Sequence, residues 1–356
     1  MFQIVDHVPP GLLDAGPQDL DALLGAPTLI ELDGRRGPPL FVSTLLHGNE
    51  PVGFQAIKRV LARYRPGGGE APLPRSLRLF IGNVSAAARG LRRLDGQPDY
   101  NRCWPGAPAD GSAEQAMMAA IVDRMRGQGL FASVDVHNNT GRNPHYACVN
   151  VLDPAYLQLA ALFSRTVVWF TRPRGVQSLS FAELCPAVTL ECGRPGDVAG
   201  IDHAVRFIDA CLHLAELPPH PPAPRDIDVM HTVARVQVPE AASISINGAG
   251  ADVRLVPGYE DWNFRPLTPG TVVAEVRGDA APLIVHDNDG RDAFARFFAV
   301  KGDTLVTRLP VIPSMLTRDE RVIRQDCLCY LMERIEPQAM GADDMPAVDV
   351  TGPADR

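Results

Sequence analysis

The sequence predicts an α/β protein: a mostly parallel or mixed sheet with helices on both faces, followed by a smaller C-terminal all-β domain. Three observations carry this expectation. As far as Leu217, short apolar runs alternate with segments of helical periodicity, the texture of strands and the helices that cover them. Leu217-Pro-Pro-His-Pro-Pro-Ala-Pro224 then breaks both patterns and reads as a stiff, extended connector. Beyond it, short β-like runs are separated by Gly, Pro and Asp.

In chain order, Leu40–Leu46 reads as a strand, and Pro51–Tyr64 as a helix with Phe54, Ile57, Val60 and Leu61 on its apolar face. Pro66-Gly-Gly-Gly69 ends that helix in a loop. Leu77–Ile81 is a second strand, Ala113–Met125 a helix, and Phe131–Val136 a strand. Tyr146–Val151 and Thr166–Trp169 are strand candidates on either side of a helix over Pro154–Phe163. Ala187–Leu190 reads as a buried strand and Val198–Leu217 as a long helix. The later β-like runs are His231–Val238, Ala251–Leu255, Thr271–Val276 and Pro282–Val285, densest between about Asp226 and Val311. The expected domains are an α/β domain over 1–220 and a β-rich domain over 221–340, with a flexible tail over 341–356.

A chain of 356 residues can bury a large core. Its formal net charge of −8 and scattered basic residues argue against a nucleic-acid surface. No apolar stretch reaches membrane-spanning length. Met1–Asp6 lacks the basic and apolar regions of a secretory signal. Seven cysteines at irregular spacing do not form a disulfide framework, and Cys327-Leu-Cys329 is too close-spaced for a zinc knuckle. A reducing, cytoplasmic compartment is therefore expected. A homo-oligomer stays open on base rates alone.

The chemistry concentrates in four places. His47-Gly-Asn-Glu50 stands where the first strand gives way to a helix, and Asp135-Val-His137 ends another strand. Two imidazoles and a carboxylate are a recurring ligand set for catalytic zinc, and strand ends side by side are the usual place for a site in an open sheet. Gly48 supplies freedom for a sharp turn. Asp135 shares a face with His137 and either fixes its tautomer or caps a turn. Glu191, in Thr189-Leu-Glu191-Cys-Gly193, is either a strand-end carboxylate reaching solvent or a general base for zinc-activated water. Asp99-Tyr-Asn101-Arg102 sets an Arg fork beside an amide, a pair suited to a carboxylate, and Arg92 is a further candidate for that pocket.

Taken together, His47-Gly-Asn-Glu50-Pro-Val-Gly53, Gly90-Leu-Arg92 leading to Asp99-Tyr-Asn101-Arg102, Asp135-Val-His137-Asn138 and Glu191-Cys-Gly193 resemble the aspartoacylase/succinylglutamate desuccinylase family of zinc carboxypeptidase-like hydrolases. The resemblance spans roughly Phe41 to Arg296. It implies a zinc carboxypeptidase-like mixed sheet as the catalytic domain with a β-rich domain capping the site, one zinc ion per chain on His47, Glu50 and His137, and hydrolysis of the amide of a small N-acyl amino acid. It makes Glu191 the base and acid, gives Asn101 and Arg102 the substrate carboxylate, and sets Arg92 near the scissile carbonyl. Asn138, and His145 in Pro144-His145-Tyr146, are expected to line the pocket. Two positions depart from the family pattern: Ser85 stands where an Arg is expected, and no Tyr precedes Asp292-Ala-Phe294, where His286 is the nearest substitute. A peptide-trimming carboxypeptidase and a zinc-binding protein without turnover are the competing readings, and Glu191 counts against the latter.

Overall fold

The computed structural model describes residues 2–64, 72–246, 250–277 and 282–335. The anticipated loop at 66–69 and the tail at 341–356 lie outside the described residues. The chain divides into two compact units. One runs to Asn138 and resumes over His145–Asp228; the other comprises Asn139–Pro144 and Val229–Glu336.

The first unit holds strands β1 (Gln3–Val5), β2 (Thr28–Leu32), β3 (Leu40–Thr44), β4 (Leu77–Ile81), β5 (Ala132–His137), β6 (Tyr146–Val149), β7 (Thr166–Trp169) and β8 (Ala187–Glu191). They are ordered β1-β2-β4-β3-β5-β8-β6-β7. β3 runs parallel to β4 and β5, and β5 to β8, while β2–β4 and β6–β8 are antiparallel. The sheet is therefore mixed, one of the two arrangements its sequence texture allows and the one the resemblance implies. The carboxyl ends of β3, β5 and β8 finish side by side. β1 and β2 were not anticipated, because short edge strands carry too little alternation to stand out.

Its helices are α1 (Leu20–Leu24), α2 (Val52–Tyr64), α3 (Val84–Ala87), α4 (Ala113–Arg126), α5 (Pro154–Phe163), α6 (Gln177–Phe181) and α7 (Val198–His213). Their starts follow local chemistry. Ser112, Asp153 and Asp197 each accept a hydrogen bond from a backbone N–H in the first turn of α4, α5 and α7, satisfying donors that a helix leaves open. α7 ends four residues before the expected Leu217. Arg75 takes over there, donating to the Leu214 and Ala215 carbonyls at 2.6 and 3.3 Å while stacking on Phe131. A buried guanidinium thus closes the end of the helix.

Both faces of the sheet are covered. Gly53 of α2 lies against Val136 of β5, whereas Gln177 of α6 bonds Ser133 of the same strand. Ser133 and Val136 point to opposite faces because side chains alternate along a strand. On the α6 face, Phe41 stacks on Phe181 at 4.3 Å, and Trp104 meets Phe80 and Phe181 edge-on. This aromatic cluster fills the floor below the strand ends.

The second unit is built from β9 (Asp228–Gln237), β10 (Ile244–Ser245), β11 (Val253–Leu255), β12 (Val272–Val276), β13 (Ile284–Asp287), β14 (Phe298–Lys301), β15 (Thr304–Thr307), β16 (Ile312–Ser314) and β17 (Cys329–Arg334), with short helices α8 (Phe294–Phe297) and α9 (Glu320–Gln325). β9 pairs antiparallel with β13 and with β17, and a separate sheet has the order β10-β11-β12-β15-β14. β-structure continues past Val311, where the sequence pattern fades. All seven cysteines are free and buried, in keeping with their irregular spacing.

The close approach of α2 to β5 makes a stability prediction. A Cβ added at Gly53 would lie 2.8 Å from Val136 Cβ and 3.0 Å from its Cγ1 and carbonyl oxygen. Overpacking of this kind costs about 1–3 kcal/mol, whereas replacing a helical Gly by Ala regains at most about 1 kcal/mol. Gly53→Ala should therefore lower the denaturant midpoint. An unchanged or higher midpoint would mean that the helix shifts freely.

Candidate metal centre

β3 ends at Thr44, and the next residue, Leu45, adopts φ 55°, a left-handed conformation that turns the chain sharply. His47 follows, and Glu50 N–H donates to the His47 carbonyl at 3.1 Å to close a tight turn. Gly48 has a different role from the conformational freedom expected of it. Its N–H donates to the Arg92 carbonyl at 3.1 Å, and a Cβ there would stand 2.2 Å from Ala87 N and 2.7 Å from Leu91 O. Glycine is required because the Ala86–Arg92 backbone passes directly against it.

This turn and the end of β5 bring the three expected ligands together. One donor atom from each of His47, Glu50 and His137 lies within 4.8 Å of the others, and all three residues are buried. Glu50 stands between the rings, with Oε1 2.9 Å from His47 Nδ1 and Oε2 2.6 Å from His137 Nδ1. The opposite ring edges rest on carboxylates: His47 Nε2 is 2.9 Å from Asp99 Oδ1, and His137 Nε2 is 2.6 Å from Asp135 Oδ2. Imidazoles backed by carboxylates, with their free edges converging on a third acidic donor, match the donor chemistry of a divalent transition metal. A cluster so placed can hold a metal.

The electrostatics follow from burial and pairing. Burial pushes the Glu50 carboxyl up, but His47 and His137 pull it further down, well below the ordinary carboxylate range. Burial also opposes a charge on His137, yet Asp135 and Glu50 outweigh it and raise its pKa well above the ordinary value. At His47, burial and Arg92 act downward, while Glu50 and Asp99 prevail and raise it. Asp99, also pushed up by burial, is held well below its usual range by Arg92 and His47. Arg92 grips Asp99 Oδ2 through Nε and Nη2 at 3.2 and 2.9 Å and lies 3.7 Å from Glu50 Oε1. Asp99 also accepts Asn101 N–H at 2.9 Å, shaping the 3-10 turn Tyr100–Arg102. The sequence motif included Asp99 without assigning it a role; an acid two residues before the Asn-Arg pair was the available signal.

Glu191 ends β8 directly beside His137, its register partner on β5, and opposite Tyr146 on β6. It is buried, like its strand neighbours. Thr189 and Glu191 keep 8% exposure while Val188 and Leu190 keep none, and Cys148 keeps 8% while Ala147 and Val149 keep none. The His137 face of the strands therefore borders an opening, with Cys148 and Thr189 on its wall. Burial, reinforced by the Glu191 charge, pushes the Cys148 thiol well up. Neither residue was singled out from sequence, because only pairing reveals that they share the Glu191 face. Gly193, at φ 76°, then turns the chain where a Cβ would meet Asp197 and His145.

Several expected pocket residues also have structural partners. Asn138 is buried and its Oδ1 accepts Val52 N–H at 3.1 Å, so its oxygen caps α2. His145 lies 3.2 Å from Asp197 Oδ2 and 3.1 Å from His203 Nδ1, against the start of α7. α7 packs with α2, whose face of β5 is opposite to that of His137, so His145 is turned away from Glu191. Asn101 reaches Asp135 Oδ2 at 3.4 Å and His137 Nε2 at 3.3 Å. Arg102 follows it, half-buried, donating to the Asn101 carbonyl at 2.8 Å. Ser85 donates to Asn83 Oδ1 at 3.2 Å within the α3 cap. His286 is a strand residue of β13, paired with Arg235 in the second unit. No helix among the described residues is long and apolar enough to cross a membrane.

Solved structures with a similar fold include the succinylglutamate desuccinylase from Chromobacterium violaceum, at 18% identity and a TM-score of 0.57, covering 86% of this chain and 88% of that one. A succinylglutamate desuccinylase/aspartoacylase from Rhodobacter sphaeroides is 20% identical, with a TM-score of 0.55 and coverage of 86% and 88%. Murine aminoacylase 3 is 15% identical, with a TM-score of 0.52 and coverage of 84% and 97%. Identities this low show a common fold. No curated protein sequence matches the chain significantly. Residues 36–215, which carry every residue of the cluster, match the succinylglutamate desuccinylase/aspartoacylase catalytic domain, and the chain belongs to that hydrolase family.

Proposed function

We propose that this protein is a zinc-dependent deacylase that hydrolyses the amide of a small N-acyl amino acid. The observation that carries the reading is the buried convergence of His47, Glu50 and His137 with Glu191 in register beside His137. Bound by those three residues, zinc would supply Lewis acidity and lower the pKa of water towards neutrality. Glu191 would take the proton from the attacking water and return it to the departing amine. Arg102 would bind the substrate carboxylate, and the Arg92 charge would favour negative charge developing on the carbonyl oxygen. Asp99 and Asp135 would hold the imidazoles with their Nδ1 edges turned to Glu50.

The first test is amine release from a panel of N-acyl amino acids by zinc-loaded protein, beside Glu191→Gln. The variant should still take up zinc and lose about 10²–10⁴-fold in kcat, the usual contribution of a general acid–base. Full activity in the variant would remove Glu191 from this role. Release of C-terminal residues from peptides, with the panel silent, would favour a carboxypeptidase.

A second expectation concerns metal and protons. In the metal-free site His47 and His137 both have raised pKa values, so protons occupy the rings at a higher pH than on ordinary histidines. Zinc must displace those protons, so its uptake releases protons to the buffer. Affinity should fall as pH drops, beginning above the ordinary histidine range. Calorimetry in buffers of different ionisation enthalpy reads this directly, and proton release near zero at neutral pH would refute the assignment. Chelator treatment should abolish turnover, and added zinc should restore it.

A further inference from the structure

We propose that Gln177 is a positioning residue for the metal centre, acting through Asn101 on Asp135 and His137. The inference rests on the metal-centre reading above. Gln177 opens α6 and is completely buried. Its side-chain Nε2 donates to Ser133 Oγ at 2.7 Å, and its backbone N–H donates to Asn101 Oδ1 at 2.9 Å.

The second bond decides which way the Asn101 amide faces. An amide side chain has one acceptor end and one donor end. With its oxygen held by the Gln177 N–H, Nδ2 must face Asp135 Oδ2 at 3.4 Å and His137 Nε2 at 3.3 Å. The reversed amide would set its oxygen against the Asp135 carboxylate and its NH2 against the Gln177 N–H, a conflict of like polarity at both ends. Asp135 in turn holds His137 Nε2 at 2.6 Å, with Ser43 Oγ donating to its other oxygen at 2.7 Å. That leaves His137 Nδ1 aimed at Glu50.

What keeps the Gln177 N–H in place is its own side chain. Ser133, Asp135 and His137 alternate onto one face of β5, and Gln177 ties α6 to the first of them while Asn101 bridges to the other two. Gln177 Oε1 is buried without a hydrogen-bond partner, a cost that a residue serving only to fill space would avoid. The far end of α6 is anchored separately, by Phe181 on Phe41.

The test compares intact protein with Ser133→Ala, Gln177→Ala, the double variant and Phe181→Leu. Zinc affinity is read by competition with a chromophoric chelator, and thermal unfolding is followed on the metal-free forms. Loss of an outer partner of a metal-ligating histidine typically costs about 10–100-fold in affinity, and each single variant should lose zinc affinity in that direction. The double variant should lose no more than the worse single, because both act through one bond. Phe181→Leu should unfold earlier yet bind zinc as the intact protein does. If Gln177→Ala fails to fold, Ser133→Ala decides, since it removes one hydroxyl. Intact protein that binds zinc, with both single variants binding equally well, overturns this inference alone. Intact protein that takes up no zinc overturns the metal-centre reading and this inference with it.

Discussion

The arrangement depends on one electrostatic constraint: three carboxylates, from buried Glu50 and Asp135 and partly buried Asp99, surround two imidazoles and one guanidinium. Burying a charge is expensive unless it is paired and hydrogen-bonded. Here Arg92 offsets part of the negative charge, and the acids raise the pKa of both imidazoles. Glu50 lies between the rings and each ring is backed by a further acid, so positive charge at the rings is stabilised from both sides.

Such a cluster survives only if its members cannot relax away from one another. Backbone contacts supply that rigidity. The Gly48 turn is pressed against Ala86–Arg92, α2 is pressed against β5 at Gly53, and a Cβ at Gly200 would lie 2.0 Å from the Cys192 carbonyl. The glycines in His47-Gly-Asn-Glu50-Pro-Val-Gly53 thus permit close packing that holds ligand-bearing segments at fixed distances. Polar side chains lock what remains: Asn138 caps α2, and Ser43 and Asn101 fix Asp135. Preorganisation of this kind lets a site bind metal and substrate without paying again for ordering.

Much of the site was legible because its motifs are local. His47 and Glu50 share one turn, Asp135 and His137 share one strand face, and Glu191 closes an apolar run, so spacing alone suggests their roles. Residues whose contacts depend on a distant partner were less legible. Asn138 resembles a loop residue beside a ligand, but its oxygen is used by Val52 N–H, on a helix encoded 86 residues earlier. His145 follows the third ligand closely in sequence, yet alternation and the contact with α7 direct it elsewhere. Gln177 has no motif around it and gains its place only through Ser133 and Asn101. In the second unit, β17 pairs with β9 across most of that unit, and no local pattern reports such a partnership.

By itself, the sequence determined the element types, the mixed α/β character with a β-rich C-terminal part, and the identities of the residues able to bind a metal. Periodicity, capping residues and ligand chemistry are properties of short segments, and they survive without knowledge of the fold. Tertiary structure alone decided which strand ends lie together, which ring edges face Glu50, and which polar residues line the opening rather than brace it. Those outcomes depend on strand register, where a shift of one position moves a side chain to the opposite face, and on close backbone contacts between segments far apart in the chain.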